Sequence, residues 1–274
     1  IIGMTAIAMS PSREPERVED CLQTISLSSR HLLSLINNVL DMAQIESGKV
    51  ELDEDYVKIR DIYQGIYKIF QAEAEKKGIH LEMEYEVQHE HVICDETKNR
   101  EIFLNLISNA VKYTASGGAV TIRITELDCD RKDYVRIRTQ VIDTGIGMSE
   151  EFLPSLFEAF ARERNTTAGK VAGTGLGMPI AKNLVEKMGG TITFESEKGV
   201  GTTFVIRVPF KIDPDADKRE EQKDVSEKSI KGLHILLAED NELNMEIAEF
   251  VLQNEGADVT KAWDGQEAVE LFRN

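Results

Sequence analysis

Three short segments carry side chains whose types and spacing could bind a nucleotide. The first is Asn105-Leu-Ile-Ser-Asn-Ala-Val-Lys-Tyr113, the second is Asp143-Thr-Gly-Ile-Gly147, and the third is Gly173-Thr-Gly-Leu-Gly177. In combination they would supply amides that bind magnesium, a carboxylate that accepts from an adenine amine, and N–H groups that bind phosphates. No single segment is specific, but the three together predict an ATP site.

The asparagine segment would place its polar side chains on one face of a helix. Asn105, Asn109 and Lys112 are spaced i, i+4, i+7, and apolar residues cover the opposite face. Amide oxygens suit Mg²⁺, because this ion takes few protein ligands and fills its other positions with phosphates and water. The alternative interpretation is an ordinary solvated helix face.

Asp143 ends an alternating strand pattern and begins the first glycine segment. A carboxylate at this position can accept a hydrogen bond from the exocyclic amine of a base. Gly145 and Gly147 would let the backbone approach the ring, because glycine has no side chain to hold it away. The alternative is an Asp-Gly turn, which is common in proteins of every class.

The second glycine segment, Gly173-Thr174-Gly175-Leu176-Gly177, precedes a helical pattern. Glycines before a helix N-terminus can form a phosphate cradle, because unpaired N–H groups point outward there. The spacing excludes a Rossmann fingerprint, since no strand leads directly into it, and the absence of Gly-Lys-Ser/Thr excludes a Walker loop. The motif is weak when it is considered alone.

The polar residues 161–172, just before these glycines, show no regular periodicity. They predict a mobile lid over the bound nucleotide, with Arg162 and Lys170 within reach of phosphate. The alternative is a plain surface loop.

Composition excludes several classes of function. The 274 residues carry a net charge of −17 with a pI near 4.8, which argues against binding nucleic acid or an anionic membrane surface. Three single cysteines predict a reducing, cytoplasmic location. No apolar run approaches the roughly 20 residues of a spanning helix. Ile1 is not a natural start, so we expect a longer parent protein whose membrane attachment, if it has one, lies upstream.

Periodicity predicts an α+β fold for the central part of the chain. We expect helices at residues 59–77, 96–113, near 150–160 and at 177–188, and strands at 79–87, 120–124, 135–141, 191–197 and 202–209. Strands in adjacent pairs with helices between them favour a two-layer sandwich with a mostly antiparallel sheet.

The two ends of the chain predict separate regions. Residues 16–46 carry the apolar stripe of a helical hairpin or coiled coil, and residues 1–9 resemble the end of a preceding helix. Residues 213–231 are highly charged and predict a solvated linker. Residues 232–274 show two βα units of a doubly wound α/β fold, which are too few to complete a sheet of that kind.

Glu239 and Asp240 follow the first strand of this C-terminal region. Open α/β sheets bind ligands at the carboxyl ends of their strands, and adjacent carboxylates suit Mg²⁺. We therefore predict part of a magnesium site here, without the third carboxylate that would complete it. The alternative is a chance acidic turn.

The motifs together resemble those of a hybrid sensor histidine kinase of a two-component system. Residues 105–113 resemble the family's asparagine box, 143–147 and 173–177 its two glycine boxes, 156–160 its phenylalanine box, and 201–204 its closing strand. The resemblance implies a nucleotide-binding domain of the histidine kinase, gyrase and HSP90 type, with ATP and Mg²⁺ as cofactors.

The same resemblance implies roles for individual residues. It makes Asn109 a Mg²⁺ ligand, directs Lys112 toward phosphate, stacks Tyr113 on adenine and adds Thr202 to the ATP-binding set. It also implies a homodimer in the intact protein, with a response regulator or a histidine phosphotransfer protein as partner.

Four regions follow from the resemblance. They are residues 1–50, a dimerisation and histidine-phosphotransfer hairpin; 51–212, the catalytic ATP-binding domain; 213–231, the linker; and 232–274, the first part of a receiver domain. The parent protein would phosphorylate its own histidine and pass the phosphate to an aspartate.

Both phosphate carriers of such a relay are expected to lie outside this chain. The family's acceptor histidine stands in a His-Glu-x-x-x-Pro box, which is absent, and none of the five histidines has the carboxylate neighbour that an acceptor imidazole would use. We therefore expect ATP binding without autophosphorylation. The alternatives are another ATPase of the same nucleotide fold, or a non-catalytic ATP-sensing scaffold.

Overall fold

The computed structural model describes residues 1–9, 15–47, 51–163, 174–215 and 230–273. They divide into two units, residues 1–214 and 215–274. Within the described residues, no helix combines the length and the apolar character needed to cross a bilayer.

In the first unit, alternating and 3.6-residue apolar patterns become strands and helices close to where the sequence predicts them. The elements are α1 (Ile2–Ala8), α2 (Pro15–Glu46), β1 (Asp55–Lys58), α3 (Ile59–Lys77), β2 (His80–Glu86), β3 (His91–Cys94), α4 (Glu96–Tyr113), β4 (Ala119–Leu127), β5 (Tyr134–Asp143), α5 (Gly177–Lys187), β6 (Thr191–Glu197) and β7 (Gly201–Ile212). Helix α3 ends at Gly78, whose φ of 70° is the left-handed conformation that glycine adopts without strain.

The strands form one sheet in the order β1-β3-β7-β5-β4-β2, with β6 also paired to β7. Every pair is antiparallel except β2–β4. Strands β4, β5 and β7 lie in the middle, so the ends of β5 and β7 are held by neighbours on both sides. The mostly antiparallel α+β sheet predicted from the sequence is confirmed.

One face of the sheet packs on helices α3, α4 and α5. Helix α4 lies between the other two and contacts both, and all three contact strands. Residues of β5 alternate between buried and half-buried positions, as a sheet covered on one face requires. A buried polar pair in this layer is satisfied, because Tyr63 Oη and Thr139 Oγ1 lie 2.6 Å apart. Burial raises the pKa of Tyr63 well above its ordinary value.

The N-terminal helices are less buried than the sheet domain. Helix α1 contacts α2, and α2 contacts α5. Most apolar side chains of α2 with a described position are exposed, while Cys21 is buried and Met42 packs against the core. Helix α2 begins at Pro15, and the residues that flank it, 10–14 and 48–50, lie outside those described.

The second unit contains β8 (His234–Ala238), α6 (Glu242–Asn254), β9 (Asp258–Ala262) and α7 (Gly265–Arg273). Strands β8 and β9 are parallel, with His234 opposite Asp258, and α6 connects them. Asn241 caps α6 by accepting from Leu243 N and Asn244 N at 3.0 and 3.1 Å. This is the β-α-β-α order that the sequence predicts.

Three local expectations differ from the structure. The helix predicted near 150–160 is a single 3₁₀ turn, Leu153–Ser155, because Pro154 removes a backbone donor and Phe160 adopts a φ of 64°. Strands β1 and β3 have four residues each, too few for alternation to predict them. The linker begins after Asp213, whose N–H donates to His91 O at 3.0 Å and whose side chain is buried.

Candidate nucleotide site

Helix α4 is fixed at both ends, and this fixes the polar face that it presents. At its start, Asp95 accepts from Lys98 N at 2.9 Å. At its end, Lys77 Nζ donates to the carbonyl oxygens of Val111 and Lys112, both at 2.7 Å, so two of the last carbonyls are paired with a cation. Apolar residues such as Leu106 are fully buried on one side, and the asparagine face turns to the other.

Asp143 closes β5 between two partner strands. It lies opposite Val120 of β4 on one side and opposite Thr202 of β7 on the other. Its carboxylate accepts from Gly145 N at 2.8 Å and from the backbone N–H of Thr202. Burial raises the pKa of Asp143, and these two hydrogen bonds oppose that rise. The side chain is thus a partly desolvated acceptor held in a fixed orientation.

The first glycine segment lies in close contact with the backbone at Tyr113 and at Glu197. A Cβ at Gly145 would lie 2.8 Å from Tyr113 O, and one at Gly147 would collide with the Glu197 carbonyl. Gly147 also has a φ of 62°. Both glycines are therefore required by contacts with the protein's own backbone, a reason additional to the approach to a base ring that the sequence suggests.

The second glycine segment leads into α5, as predicted. Gly175 has a φ of 73°, and its carbonyl accepts from Phe160 N at 3.0 Å. A Cβ at Gly177 would lie 2.8 Å from Asn105 Oδ1, so the first residue of α5 meets the polar face of α4. Gly173, Lys170 and most of the predicted lid, residues 164–172, lie outside the described residues.

These elements enclose a pocket of about 410 Å³, within the usual range for small-molecule sites. Its lining includes most of the residues that the sequence predicts, namely Asn105, Asn109, Lys112, Tyr113, Asp143, Gly147, Arg162, Thr174, Gly175, Gly177 and Thr202. Two predicted members do not line it. Gly145 lies behind Asp143, where its amide holds the carboxylate, and Leu176 is a core side chain with 1% of its surface exposed.

One wall of the pocket is apolar, and single-residue reasoning from the sequence does not find it. Its side chains are Ile146, Met148, Phe152, Leu156, Met178 and Phe204. Three of them, Ile146, Leu156 and Phe204, belong to segments that carry the family resemblance, which is the only signal that points to them. Asn38 of α2 also reaches the pocket, and no feature of the sequence predicts this contact.

The pocket combines groups suited to the two halves of a nucleotide. Asp143 and Thr202 supply oxygens beside the apolar wall, where a flat base that carries an amine would fit. Asn105, Asn109, Lys112 and Arg162 supply amides and cations for phosphates. Lys112 Nζ lies 5.0 Å from the ring centroid of Tyr113.

The asparagine face also fits a magnesium ion. Asn109 Nδ2 donates to Met178 Sδ at 3.5 Å, which commits the amide nitrogen to the protein. The amide oxygen is then the atom that can ligate a cation, and Mg²⁺ prefers oxygen ligands.

The acidic pair of the second unit is differently arranged. Glu239 Oε1 accepts from Asn241 N and Asn244 Nδ2 at 3.1 and 3.2 Å, and these hydrogen bonds lower the pKa of Glu239. Among the described residues, no group of three or more His, Cys, Asp or Glu side chains could hold a metal ion.

Three of the described histidines differ from the expectation. His89 Nδ1 lies 2.7 Å from Glu126 Oε1, His234 Nδ1 lies 3.8 Å from Asp258 Oδ2, and His80 Nε2 lies 3.9 Å from Glu82 Oε2, so the statement that no histidine has a carboxylate neighbour is wrong for these residues. The shortest of these pairs, His89 with Glu126, is remote from the pocket along β4. Val120 of that strand lies opposite Asp143, and six residues of strand separate it from Glu126, or about 20 Å.

Comparison with known proteins places this geometry in a family. Residues 94–212 match the family described as histidine kinase-, DNA gyrase B- and HSP90-like ATPase. Over 276 aligned positions the chain is 33% identical to the aerobic respiration control sensor protein ArcB of Escherichia coli K12, covering 100% of this chain and 34% of ArcB. It is 31% identical to the autoinducer 2 sensor kinase/phosphatase LuxQ of Vibrio parahaemolyticus, covering 100% of this chain and 32% of LuxQ.

Among solved structures, full-length ShkA in complex with AMPPNP aligns with a TM-score of 0.62 and 25% identity, covering 97% of this chain and 53% of ShkA. The fold and the pocket therefore define an ATP-binding catalytic domain of the histidine kinase, gyrase B and HSP90-like class. Over its whole length the chain is similar to sensor kinases such as ArcB and LuxQ, as its motifs predict. The chain spans about a third of the length of the curated relatives it matches.

Proposed function

We propose that the pocket binds Mg²⁺-ATP and presents its γ-phosphate to a histidine, as the nucleotide-binding part of a hybrid sensor histidine kinase in a phosphorelay. One observation carries the proposal. The desolvated acceptor Asp143 and the asparagine face of α4 line the same pocket, where one ligand can touch both.

Each part of the site then has a task. Asp143 accepts from the adenine amine, Thr202 adds a second oxygen, and Tyr113 covers the base. Asn105, Lys112 and Arg162 contact the phosphates, and the amides of Thr174 to Gly177 meet them at the start of α5. Asn109 would hold Mg²⁺, which neutralises charge on the phosphoryl oxygens during transfer.

The other regions support the same assignment. Helices α1 and α2 fit the end of a dimerisation and histidine-phosphotransfer hairpin, because α2 exposes apolar side chains such as Leu32 and Ile36. The second unit fits the beginning of a receiver domain, with Glu239 and Asp240 at the carboxyl end of its first strand. The partners of the intact protein are then a second copy, and a response regulator or histidine phosphotransfer protein. We place the protein in the cytoplasm, with any membrane attachment outside this chain.

Calorimetry of ATP binding with and without Mg²⁺ tests the two halves of the site. We expect Asp143→Ala to lose roughly tenfold to a hundredfold in affinity in both conditions, because a base amine left unpaired costs about 1–3 kcal/mol. Asn109→Ala should lose mainly the Mg²⁺-dependent part. Asp130→Ala, an exposed acid on the β4–β5 turn, is the matched control and should bind like the unmodified chain. Equal effects of Asp143→Ala and Asn109→Ala in both conditions would contradict the assignment.

Phosphorylation can be tested separately from binding. We expect the chain to remain unlabelled with γ-labelled ATP, because none of its histidines stands in a His-Glu-x-x-x-Pro box and His89 is remote from the pocket. An acid-labile label on any of the five histidines would refute this. Transfer to an acceptor helix added in trans would support a kinase, whereas ATP binding without transfer would favour the non-catalytic scaffold.

A further inference from the structure

Ser196 lies next to the base-binding end of the pocket without being part of its lining. Thr202 of β7 is paired with Asp143 of β5 on one side and with Ser196 of β6 on the other. Directly paired residues place their side chains on the same face of a sheet, with Cβ atoms about 4.5–5.5 Å apart. Asp143, Thr202 and Ser196 therefore form one row, of which the first two line the pocket.

The Ser196 hydroxyl has three neighbours within hydrogen-bonding distance. Its Oγ accepts from Met148 N at 3.0 Å, lies 3.2 Å from the Gly201 carbonyl oxygen, and lies 2.8 Å from Thr202 Oγ1. Met148 N can only donate and the Gly201 carbonyl can only accept. These two fixed roles limit what the two hydroxyls can do.

Counting protons gives one arrangement that satisfies every group. A hydroxyl has one proton and two lone pairs. If Ser196 donates to Gly201, it accepts from Met148 N and from the Thr202 hydroxyl. If Ser196 donated to Thr202 instead, its oxygen would face the Gly201 carbonyl without a proton between them. The first arrangement turns the Thr202 proton toward Ser196, so that Thr202 offers lone pairs to the pocket beside the Asp143 carboxylate.

We propose that Ser196 is a positioning residue that orients the Thr202 hydroxyl as an acceptor, so that the pocket reads the 6-position of a purine with acceptors alone. This rests on the proposed nucleotide function. A 6-amino purine donates at that position and is favoured. A 6-oxo purine presents an acceptor there and is disfavoured, because two facing acceptors leave both groups unpaired.

The test is a comparison of ATP with inosine triphosphate, each with Mg²⁺, by calorimetry on the whole chain. The unmodified chain should prefer ATP. In Ser196→Ala the Thr202 hydroxyl is released and can donate, so the preference for ATP should fall by roughly three- to tenfold, the value of one hydrogen bond. Ser196→Thr keeps a hydroxyl in the same place and should keep the preference.

A double-substitution cycle with Thr202→Val distinguishes two roles of Ser196, namely orienting the Thr202 hydroxyl and holding the backbone at Met148. If Ser196 acts through Thr202, Ser196→Ala has no further effect on the ATP preference in the Thr202→Val background. If Ser196→Ala weakens both nucleotides equally, or changes the preference equally in both backgrounds, Ser196 acts only by holding Met148 N and the proposal is overturned.

Two further outcomes keep the inference distinct from folding defects and from the proposed function. Should Ser196→Ala fail to fold, Ser196→Cys preserves the size of the side chain with a weaker donor and acceptor. Its preference should fall, and an unchanged preference would refute the inference. If the unmodified chain binds no ATP, the proposed function itself fails. If it binds ATP and the Ser196 variants keep its preference, only the inference about Ser196 fails.

Discussion

The two units of this protein have equally regular helices and strands, but they differ in how much apolar surface they bury. Ile59, Ile62 and Ile66 of α3 are completely buried, whereas Ile247 and Phe250 of α6 each expose more than half of their surface. The cause is the number of strands. A seven-stranded sheet covers the inner faces of three helices, and a two-stranded sheet cannot. A regular apolar pattern therefore specifies an element, and burial requires a second surface.

The two acidic positions show the same contrast. Asp143 and Glu239 both stand at the carboxyl end of a strand. Burial raises the pKa of Asp143, whereas hydrogen bonds from Asn244 and Asn241 lower the pKa of Glu239. Equivalent positions relative to a strand thus give carboxylates of opposite character. The difference comes from the packing around each strand.

Amide hydrogen exchange should show the largest difference between the units. Strand β5 is paired on both sides, whereas β8 is paired with β9 alone among the described residues. We expect amides of Ile235 to Ala238 to exchange at least about a thousandfold faster than those of 135–142, because local opening costs far less in a poorly buried segment. Comparable protection would show that the second unit is covered by another surface, and the comparison would fail.

A matched pair of substitutions should sharpen the same contrast. Ile66→Ala removes a fully buried side chain from α3, and Ile247→Ala removes one that is 56% exposed from α6. We expect the first to lower the free energy of unfolding of its unit by about 2–5 kcal/mol and the second by about 0.5 kcal/mol or less. Denaturant titration monitored separately in each unit measures both. A cost for Ile247→Ala close to that of Ile66→Ala would mean that α6 is buried in solution.

Much of the fold could be predicted because its elements are long and strongly periodic. Helix α4 and strand β6 begin and end where the sequence predicts them. The exceptions are short or irregular. Strands β1 and β3 are recognisable only from their partners in the sheet. The segment near 150–160 contains a proline and a left-handed Phe160, which override its apolar pattern.

The site could be predicted at its polar residues but not at its apolar wall. Asparagines on one helix face, together with an aspartate that precedes glycines, predict a nucleotide site although neither feature does so alone. Met148 and Met178 could belong to any core, and only the folded pocket shows that they face a ligand site. The tasks of Gly145 and Leu176 also depend on three-dimensional contacts, since both support the site from behind it.

The smallest expected effect is on the free energy of unfolding of the first unit, which the partly buried carboxylate of Asp143 lowers when it is ionised. Because burial raises the pKa of Asp143, the folded state binds more protons than the unfolded state between the unfolded and folded pKa values. The free energy of unfolding then decreases as pH rises through that window. Above the window, the ionised carboxylate of the unliganded protein carries its full desolvation cost.

Asp143→Asn removes this charge while keeping a side-chain oxygen that can accept from Gly145 N. Near pH 7 we expect the unliganded variant to be more stable than the unmodified chain by less than about 1 kcal/mol, and therefore to unfold at a higher temperature. The same variant should bind ATP more weakly. The advantage should shrink as pH falls toward 4, because Asp143 then becomes neutral by protonation. Thermal unfolding of the first unit between pH 4 and 8 measures this, with the exposed Asp130→Asn as control. An advantage that grows as pH falls would reverse the sign of the argument and show that Asp143 is stabilised, rather than penalised, by its surroundings.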